Sequence, residues 1–168
     1  MKRTLVVFAV ITLVAAGGAL AATDTTTFQV TASVTQNCTI SAVALAFGPY
    51  DPIVANAAAN LDATGGVTIT CTKGSNVTIG LDAGLHSANA VGTTRAMSDG
   101  GTAYLSYELY QPGGFATVWG ASGTALYTPA AAPSKAPRAF TINGRVPAGQ
   151  DAAVAALYSD TVTATVNF

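Results

Sequence analysis

The sequence predicts an exported, all-β protein with one antiparallel β-sandwich, and three observations lead to this prediction. Apolar residues recur at every second position in segment after segment, which is the pattern of half-buried strands rather than helices. The chain begins with a secretory leader. Its two cysteines are expected to form a disulfide in the oxidising compartment to which such a leader directs a protein.

The leader has the three parts of a signal peptide. Lys2 and Arg3 precede an apolar run over residues 5–14, and a small-residue stretch follows it up to Ala21. The alternative is a membrane anchor, but the unbroken apolar run is well below the ~20 residues that a spanning helix needs. We therefore predict that residues 1–21 are a cleaved signal peptide and that the mature chain has no transmembrane segment.

The mature chain, residues 22–168, has the length of one domain, for which ~100–200 residues are usual. It carries five basic and eight acidic groups, a net charge of −3, so nothing attracts nucleic acid or anionic lipid. Charged residues make up only 9% of the whole sequence. Small and hydroxyl side chains must therefore cover much of the surface, and such a surface suits packing against other copies of the same chain.

Cys38 and Cys71 are the two cysteines of the sequence. Their spacing is far from the CxxC of redox and metal motifs, and His86 is the only histidine that could help to bind a metal. We therefore predict a disulfide between Cys38 and Cys71, with no metal and no cofactor.

The strands follow one another between Gly- and Pro-rich turns. Alternation over residues 67–71 and 77–81, with a turn signal at residues 73–76, predicts a hairpin. Residues 105–110 and 115–119, separated by Pro and two Gly, predict a second one. Further strands are expected at residues 140–146 and 162–168, whereas residues 128–137, rich in Pro and Ala, are read as a surface loop. About seven strands in total indicate a single antiparallel sandwich.

The residues give no positive support for an enzyme. The one base candidate, His86, lies in a Gly- and Ala-rich stretch that is interpreted as an exposed loop. The carboxylates are scattered, and Asp51 and Asp99 occur in turn contexts where local backbone hydrogen bonding explains an aspartate. We therefore predict a non-enzymatic protein.

The segment before the first cysteine, residues 22–37, contains a strand pattern with no obvious partner. Its apolar residues alternate strictly with polar ones and are Phe28, Val30, Ala32 and Val34. It lies outside the loop that the disulfide closes. Two interpretations remain open from the pattern alone: an ordinary first strand that pairs within its own domain, or a mobile strand that is donated to the sheet of a neighbouring subunit.

Several stretches of the mature chain resemble the spore coat protein U family, which includes the major subunits of archaic, Csu-type chaperone-usher pili. Their order and spacing over about 120 residues are specific, although no single stretch is decisive. The matching stretches are LAFGPYDP at residues 45–52, VTITCTKG at 67–74, LSYELY at 105–110, VWG at 118–120, GRVPAGQ at 144–150 and YSDTV at 158–162. One departure precedes the last stretch, where residues 155–157 read AAL and the family often has Gly.

The resemblance implies an immunoglobulin-like sandwich, residues 38–168, that lacks one strand and is held by the Cys38–Cys71 disulfide. In that family a periplasmic chaperone first supplies the missing strand, and the N-terminal extension of the next subunit replaces it. By position, residues 22–37 correspond to that extension. The resemblance thus implies donor residues Phe28, Val30, Ala32 and Val34 and, as partners, other copies, the chaperone and an outer-membrane usher. It also implies export through the periplasm to the cell surface as a pilus, with a role in adhesion or biofilm formation.

Two other functions are alternatives to that of a pilus subunit. The first is a coat protein that forms a protective layer on a spore or cell surface, which the sequence does not separate from a fibre subunit. The second is a carbohydrate-binding tip adhesin, which is disfavoured because such subunits carry an additional receptor-binding domain. The aromatic residues Trp119, Tyr107 and Tyr158 are expected in the core or at corners, and Arg145 and Asp160 are expected to order a turn or to pair with each other.

Overall fold

The structure is a computed structural model that describes residues 21–168. The predicted signal peptide therefore lies outside the described residues, apart from Ala21. The chain divides into two units, Met1–Ser33 and Val34–Phe168. Residues 21–33, the described part of the first unit, are exposed and form neither helix nor strand.

The second unit, Val34–Phe168, contains seven β-strands and two single turns of 3₁₀-helix, which confirms the all-β prediction. Five strands form one antiparallel sheet in the order β1-β2-β6-β5-β4, and β3 and β7 form a second, two-stranded sheet. The strands are β1 Cys38–Val43, β2 Leu61–Cys71, β3 Thr78–Leu81, β4 Arg95–Ser98, β5 Tyr104–Tyr110, β6 Arg138–Val146 and β7 Ala164–Asn167; the 3₁₀ turns are Ser87–Asn89 and Gly123–Ala125.

The Cys38–Cys71 disulfide is present, as predicted, and joins the first residue of β1 to the last residue of β2. The two residues are directly opposite in the antiparallel register. Cys71 is buried and belongs to the apolar core. The disulfide therefore fixes the start of β1, where the chain enters the sandwich, to the end of β2.

The predicted hairpin of residues 67–71 and 77–81 is wrong. β2 pairs with β1 and β6, whereas β3 belongs to the other sheet and pairs with β7. The physical reason is that both strands point apolar side chains into the same core. Val67 and Ile69 are completely buried on one sheet and Ile79 on the other, so the two strands lie across the core instead of side by side.

The core fills the space between the sheets and is closed by a tryptophan from a loop. Trp119 is completely buried, and its indole N–H donates a 2.8 Å hydrogen bond to the carbonyl of Ile79. The Trp119 N–H donates to the Leu109 carbonyl at 2.8 Å, so residues 115–119 do return beside β5, as the second predicted hairpin required. The core positions expected for Trp119 and Tyr107 are thus confirmed.

A buried ion pair lies within the five-stranded sheet, and its arginine also contacts the second sheet. Arg95 of β4 and Glu108 of β5 are both almost completely buried, and their side chains meet at 2.6 Å. The guanidinium also donates to the carbonyls of Asp82, Leu81 and Trp119. These three bonds hold backbone of β3, of the residue after it and of the Trp119 loop, and together with the Glu108 carboxylate they compensate the cost of burying the charge of Arg95.

The predicted surface loop at residues 128–137 forms no strand, but it is anchored more firmly than a surface loop requires. Ala132 is buried, and its backbone exchanges hydrogen bonds with Gly74 and Ser75 at 2.8 and 2.9 Å.

Over residues 21–168, no helix has the length and hydrophobicity that crossing a membrane demands.

Candidate functional site

The sandwich is open along one side, where an apolar cleft of about 1030 Å³ reaches into the core. Its floor consists of core side chains from both sheets, and two extended segments, residues 42–50 and 152–164, form its walls. The apolar floor residues are Leu61, Val67, Leu81, Met97, Leu105, Leu109 and Ile142. Leu61 and Met97 on this floor are half-buried, whereas the other floor side chains are buried beneath the cleft.

The first wall begins where β1 ends. Residues 44–50 continue without strand pairing, and Leu45 and Phe47 lie against the inner face of the five-stranded sheet. Glycine makes this approach possible: a Cβ atom on Gly144 would lie 2.6 Å from Leu45 Cδ1 and 2.9 Å from Phe47 Cζ. The Phe47 ring packs edge-on against Tyr107 with centroids 6.0 Å apart. Because Gly144 of β6 has no side chain, the first wall can pack directly against the sheet at this point.

The second wall is the chain that leads into β7, and its hydrogen bonds define a free edge. Ser159 exchanges two backbone hydrogen bonds with Ser98, and the Thr163 carbonyl accepts one from Asp82. Successive residues of an extended chain point their backbone groups to opposite sides. The odd-numbered residues thus bond to the sheet, while the even-numbered residues turn their N–H and C=O groups to the unpaired side. These are Asp160, Val162, Ala164 and Val166.

The same four residues alternate in burial. Asp160, Val162, Ala164 and Val166 are half-buried, whereas the residues between them are exposed. The neighbouring strand β1 approaches β7 without pairing with it, since the two belong to different sheets. The cleft is therefore the gap between two strand edges, and its dimensions and unpaired backbone suit an additional β-strand.

Asp160 anchors the second wall through its side chain. Its carboxylate is only 2% exposed and accepts hydrogen bonds from the Leu85 N–H at 2.9 Å and the Tyr107 hydroxyl at 2.7 Å. His86 Nδ1 lies 3.1 Å away. Burial raises the pKa of Tyr107, and the hydrogen bond to Asp160 raises it further. The phenol therefore stays protonated and serves as a permanent donor.

The expectation that Arg145 and Asp160 pair with each other is wrong. Arg145 forms a bidentate ion pair with Asp62 at 2.7 and 2.8 Å, because β2 and β6 place these two residues directly opposite each other. His86 is also less exposed than its loop context predicted, since 31% of its side chain is accessible. The first difference follows from the β2–β6 register, and the second from the contacts of the His86 ring with Asp160 and Tyr104.

The four predicted donor residues lie in residues 22–37, which contain no helix or strand. All four are exposed, and the three largest are accessible over more than four fifths of their surface: Phe28 85%, Val30 82% and Val34 83%. A soluble protein gains free energy by covering such side chains, about 1.5–3 kcal/mol for each one fully buried. The apolar side chains of this alternating segment are thus exposed to solvent.

Comparison with known proteins agrees with this architecture. Residues 24–165 match the family model of the Spore Coat Protein U domain. The chain belongs to this family. It is 38% identical over 173 aligned residues to "Protein U" of Myxococcus xanthus, an alignment that covers 96% of this chain and 94% of the relative.

A solved structure has the same fold. It is a chain in the crystal structure of the CsuC–CsuE chaperone-tip adhesion subunit pre-assembly complex from archaic chaperone-usher Csu pili of Acinetobacter baumannii. The likeness has a TM-score of 0.57 at 24% identity and covers 80% of this chain. The chain spans 40% of the length of that neighbour. At this identity the likeness is one of fold.

Residues 21–168 contain no group of three or more His, Cys, Asp or Glu side chains that could hold a metal ion. The family resemblance implied a sandwich that lacks one strand, and the cleft is a gap of that kind, but the residues that line it were not predicted. The stretches LAFGPY at residues 45–50 and YSDTV at residues 158–162 could have pointed to this lining, since both lie outside the seven strands and line the cleft.

Proposed function

We propose that the chain is a structural subunit of a surface fibre of the archaic chaperone-usher type, and that subunits join when residues 22–37 of one copy fill the cleft of the next. The observation that carries the proposal is the match between an unpaired apolar cleft in one part of the chain and an uncovered, alternating apolar segment in another. Strand addition to an exposed sheet edge is an established mode of recognition.

The lengths of donor and acceptor agree. Phe28 to Val34 spans six residue steps with an apolar side chain at every second position, and Asp160 to Val166 spans six steps with inward side chains at every second position. At about 3.3 Å per residue, each covers about 20 Å. A donated strand would therefore bury Phe28, Val30 and Val34 in the cleft while pairing with the even-numbered backbone groups of the second wall.

Donation is energetically favourable because it covers two unfavourable surfaces at once. These are the exposed apolar side chains of the donor segment and the unpaired backbone groups along the edge of the cleft. Covering the three large donor side chains contributes about 1.5–3 kcal/mol each before entropic costs. The strand also supplies partners for backbone N–H and C=O groups along the edge, which are costly to leave unpaired when buried. Until assembly, the cleft needs a temporary occupant, and we propose a periplasmic chaperone for this role and an outer-membrane usher for export.

The location that follows from this function is the cell surface, reached through the periplasm, with the fibre acting in adhesion or biofilm formation. The likeness to a chain of a chaperone-tip adhesion subunit complex supports this assignment at the level of the fold. The alternative is a structural protein of a spore coat. It is favoured by the Spore Coat Protein U family match and by the identity to Protein U of Myxococcus xanthus.

The test is the double variant Val30→Asp/Val34→Asp of the mature chain. Two charges on the apolar face should abolish polymerisation, as followed by light scattering and electron microscopy, because a carboxylate cannot enter an apolar cleft without a partner. The matched control is Thr31→Asp/Ser33→Asp, which places the same charges on the alternate face. Normal fibres from Val30→Asp/Val34→Asp would refute strand donation by this segment.

A further inference from the structure

The charged groups of the folded unit Val34–Phe168 divide into paired ones and uncompensated ones. Arg95 pairs with Glu108 and Arg145 with Asp62, and these pairs lie within the sheets. Asp82 and Asp160 are held by hydrogen bonds from neighbouring loops and strands. Apart from Asp82, the charged residues without an ion-pair partner in this unit are Lys73, Lys135, Arg138, Asp51, Asp99 and Asp151. Asp51 and Asp99 accept backbone N–H hydrogen bonds within their own turns, which leaves their negative charge without a counter-charge.

The three uncompensated basic residues lie at one end of the sandwich, which we call the basic end: Lys73, Lys135 and Arg138. Lys73 and Lys135 are exposed and line the same hollow, of about 580 Å³, beside the disulfide. Arg138 is opposite Ile69 in the β2–β6 register, two residues from the end of β2. Its Nη1 donates to the Ala130 carbonyl, while its Nη2 has no hydrogen-bond partner.

The three uncompensated acidic residues lie at the opposite end, the acidic end: Asp51, Asp99 and Asp151. Asp51 follows Tyr50, whose hydroxyl donates to the Pro147 carbonyl and accepts from the Gln150 N–H. Asp151 directly follows Gln150 in the chain. Asp99 opens the turn that leads into β5, and its N–H bonds to the Ala103 carbonyl. Asp51 and Asp151 therefore lie near the first residue of β2, which pairs with Val146, while Asp99 lies at the same end of the sheet, between β4 and β5.

The two ends are separated by the length of β2. Leu61 to Cys71 covers ten residue steps, or about 33 Å at about 3.3 Å per residue. That distance exceeds the Debye length of about 8 Å at physiological ionic strength, so the two ends do not neutralise each other. Contact between like ends of two copies is repulsive, while contact between unlike ends is attractive. This arrangement favours head-to-tail contacts, which produce filaments rather than closed dimers.

The N-terminal extension leaves the sandwich at the basic end, whereas the cleft extends to the acidic end. Residues 34–37 leave the sandwich at the basic end, where the Asn37 N–H donates to the Thr72 hydroxyl and Gln36 Nε2 to the Asn76 carbonyl. The cleft, in contrast, extends to the acidic end, where Pro52, Ala152 and Ala153 line it. A copy that donates its extension therefore turns its basic end toward the acidic end of the copy that receives it.

We propose that contact between the basic end of one copy and the acidic end of the next orients the two subunits and accelerates their association. This inference rests on the proposed strand donation and adds a second, ionic interface to it. The partner is another copy of the same chain. Electrostatic complementarity of this kind acts mainly on the association rate and is weakened by salt.

The experiment measures the initial rate of self-assembly of the mature chain, residues 22–168, at low and high ionic strength. Lys73→Gln/Lys135→Gln and Asp51→Asn/Asp151→Asn remove two charges from one end each, and the side-chain amide introduced at position 51 still offers an oxygen to the turn that Asp51 caps. Both variants should assemble about tenfold more slowly than the wild type at low salt and equally fast at high salt. Thr64→Glu/Thr141→Glu, at exposed positions in the middle of β2 and β6, is the control for net charge.

The two variants change net charge in opposite directions, so a general repulsion effect is separable from a specific contact. The mature chain has a net charge of −3, and overall repulsion alone would slow the lysine variant and accelerate the aspartate variant. Slower assembly of both, with an unaffected control, supports the ionic interface. Acceleration of the aspartate variant, or equal salt dependence in all four proteins, overturns it. Strand donation is tested separately by Val30→Asp/Val34→Asp, whose failure to assemble at every salt concentration leaves the ionic interface to be decided by the rates.

Discussion

Replacement of Asp160 by alanine probes the wall of the cleft most directly. The side chain is 2% exposed and accepts hydrogen bonds from the Leu85 N–H and the Tyr107 hydroxyl, with His86 Nδ1 at 3.1 Å. Hydrogen bonds to a charged group contribute about 1.5–3 kcal/mol each. Tyr107 is 4% exposed, so its hydroxyl would lose its acceptor without gaining water. Water can reach the exposed Leu85 and the half-buried His86, which limits the loss there. We expect Asp160→Ala to lower the free energy of unfolding by about 3–5 kcal/mol.

The matched control is Asp62→Ala, which also removes a carboxylate that accepts two hydrogen bonds, here from Arg145. The Asp62 side chain is 40% exposed, and exposed ion pairs contribute about 0–1 kcal/mol. Urea unfolding followed by the fluorescence of Trp119, the single tryptophan, measures both. Asp160→Asn should fall between them, because its amide oxygen still accepts from Tyr107. If Asp160→Ala and Asp62→Ala shift the unfolding free energy equally and by less than about 1 kcal/mol, the anchoring role of Asp160 is refuted.

Two further predictions concern the same unit. Removal of the disulfide by Cys38→Ala/Cys71→Ala should cost about 4 kcal/mol on the chain-entropy model, because the bond closes a loop with a sequence separation of 33; an unchanged urea midpoint relative to the oxidised protein would contradict this. Acid should also destabilise the fold. Burial alone would raise the pKa of Asp82, but hydrogen bonds from Thr163 and the Gly84 N–H, with Arg95 nearby, outweigh it and lower the pKa. The stabilisation from Asp82 is therefore complete above its unfolded pKa of about 4 and lost as the pH falls through the lower folded value, so Asp82→Asn should flatten the decline of the unfolding free energy below about pH 4 that urea titrations record.

The strands and the disulfide could be predicted from the sequence because the signals for both are local or few. Alternation over residues 67–71 and 105–110 requires only neighbouring residues to be read. Two cysteines in an exported chain leave one intramolecular pairing. Strand partners are different, since β2 pairs with β6 across more than sixty intervening residues, and no turn chemistry specifies that choice. The error in pairing β2 with β3 arose because a turn signal was taken to define a hairpin.

The cleft wall could not be predicted for a related reason. Asp160 meets Tyr107 and Leu85 only after β4, β5 and the chain before β7 have been brought together, so no motif of consecutive residues contains the cluster. The pairing of Arg145 with Asp62 likewise depends on the β2–β6 register. An unpaired extended chain and a paired strand have the same alternation in sequence. Alternation therefore predicts a strand over residues 162–168 without showing which of its edges stays unpaired, and it predicts no strand for the wall at residues 42–50.

The composition of the unpaired edge bears on whether it is an accident of folding or a site. Proteins commonly protect an exposed edge with charges, proline or bulges, because an open edge is a template for unwanted pairing. Residues 161–168 carry no charged side chain and no proline, and residues 25–37 carry none either. Both segments combine strict alternation with the absence of these protective features. A chain with two such unprotected segments would aggregate if each met an arbitrary partner, so their match to each other in length and apolar spacing is the property that the proposed fibre subunit requires.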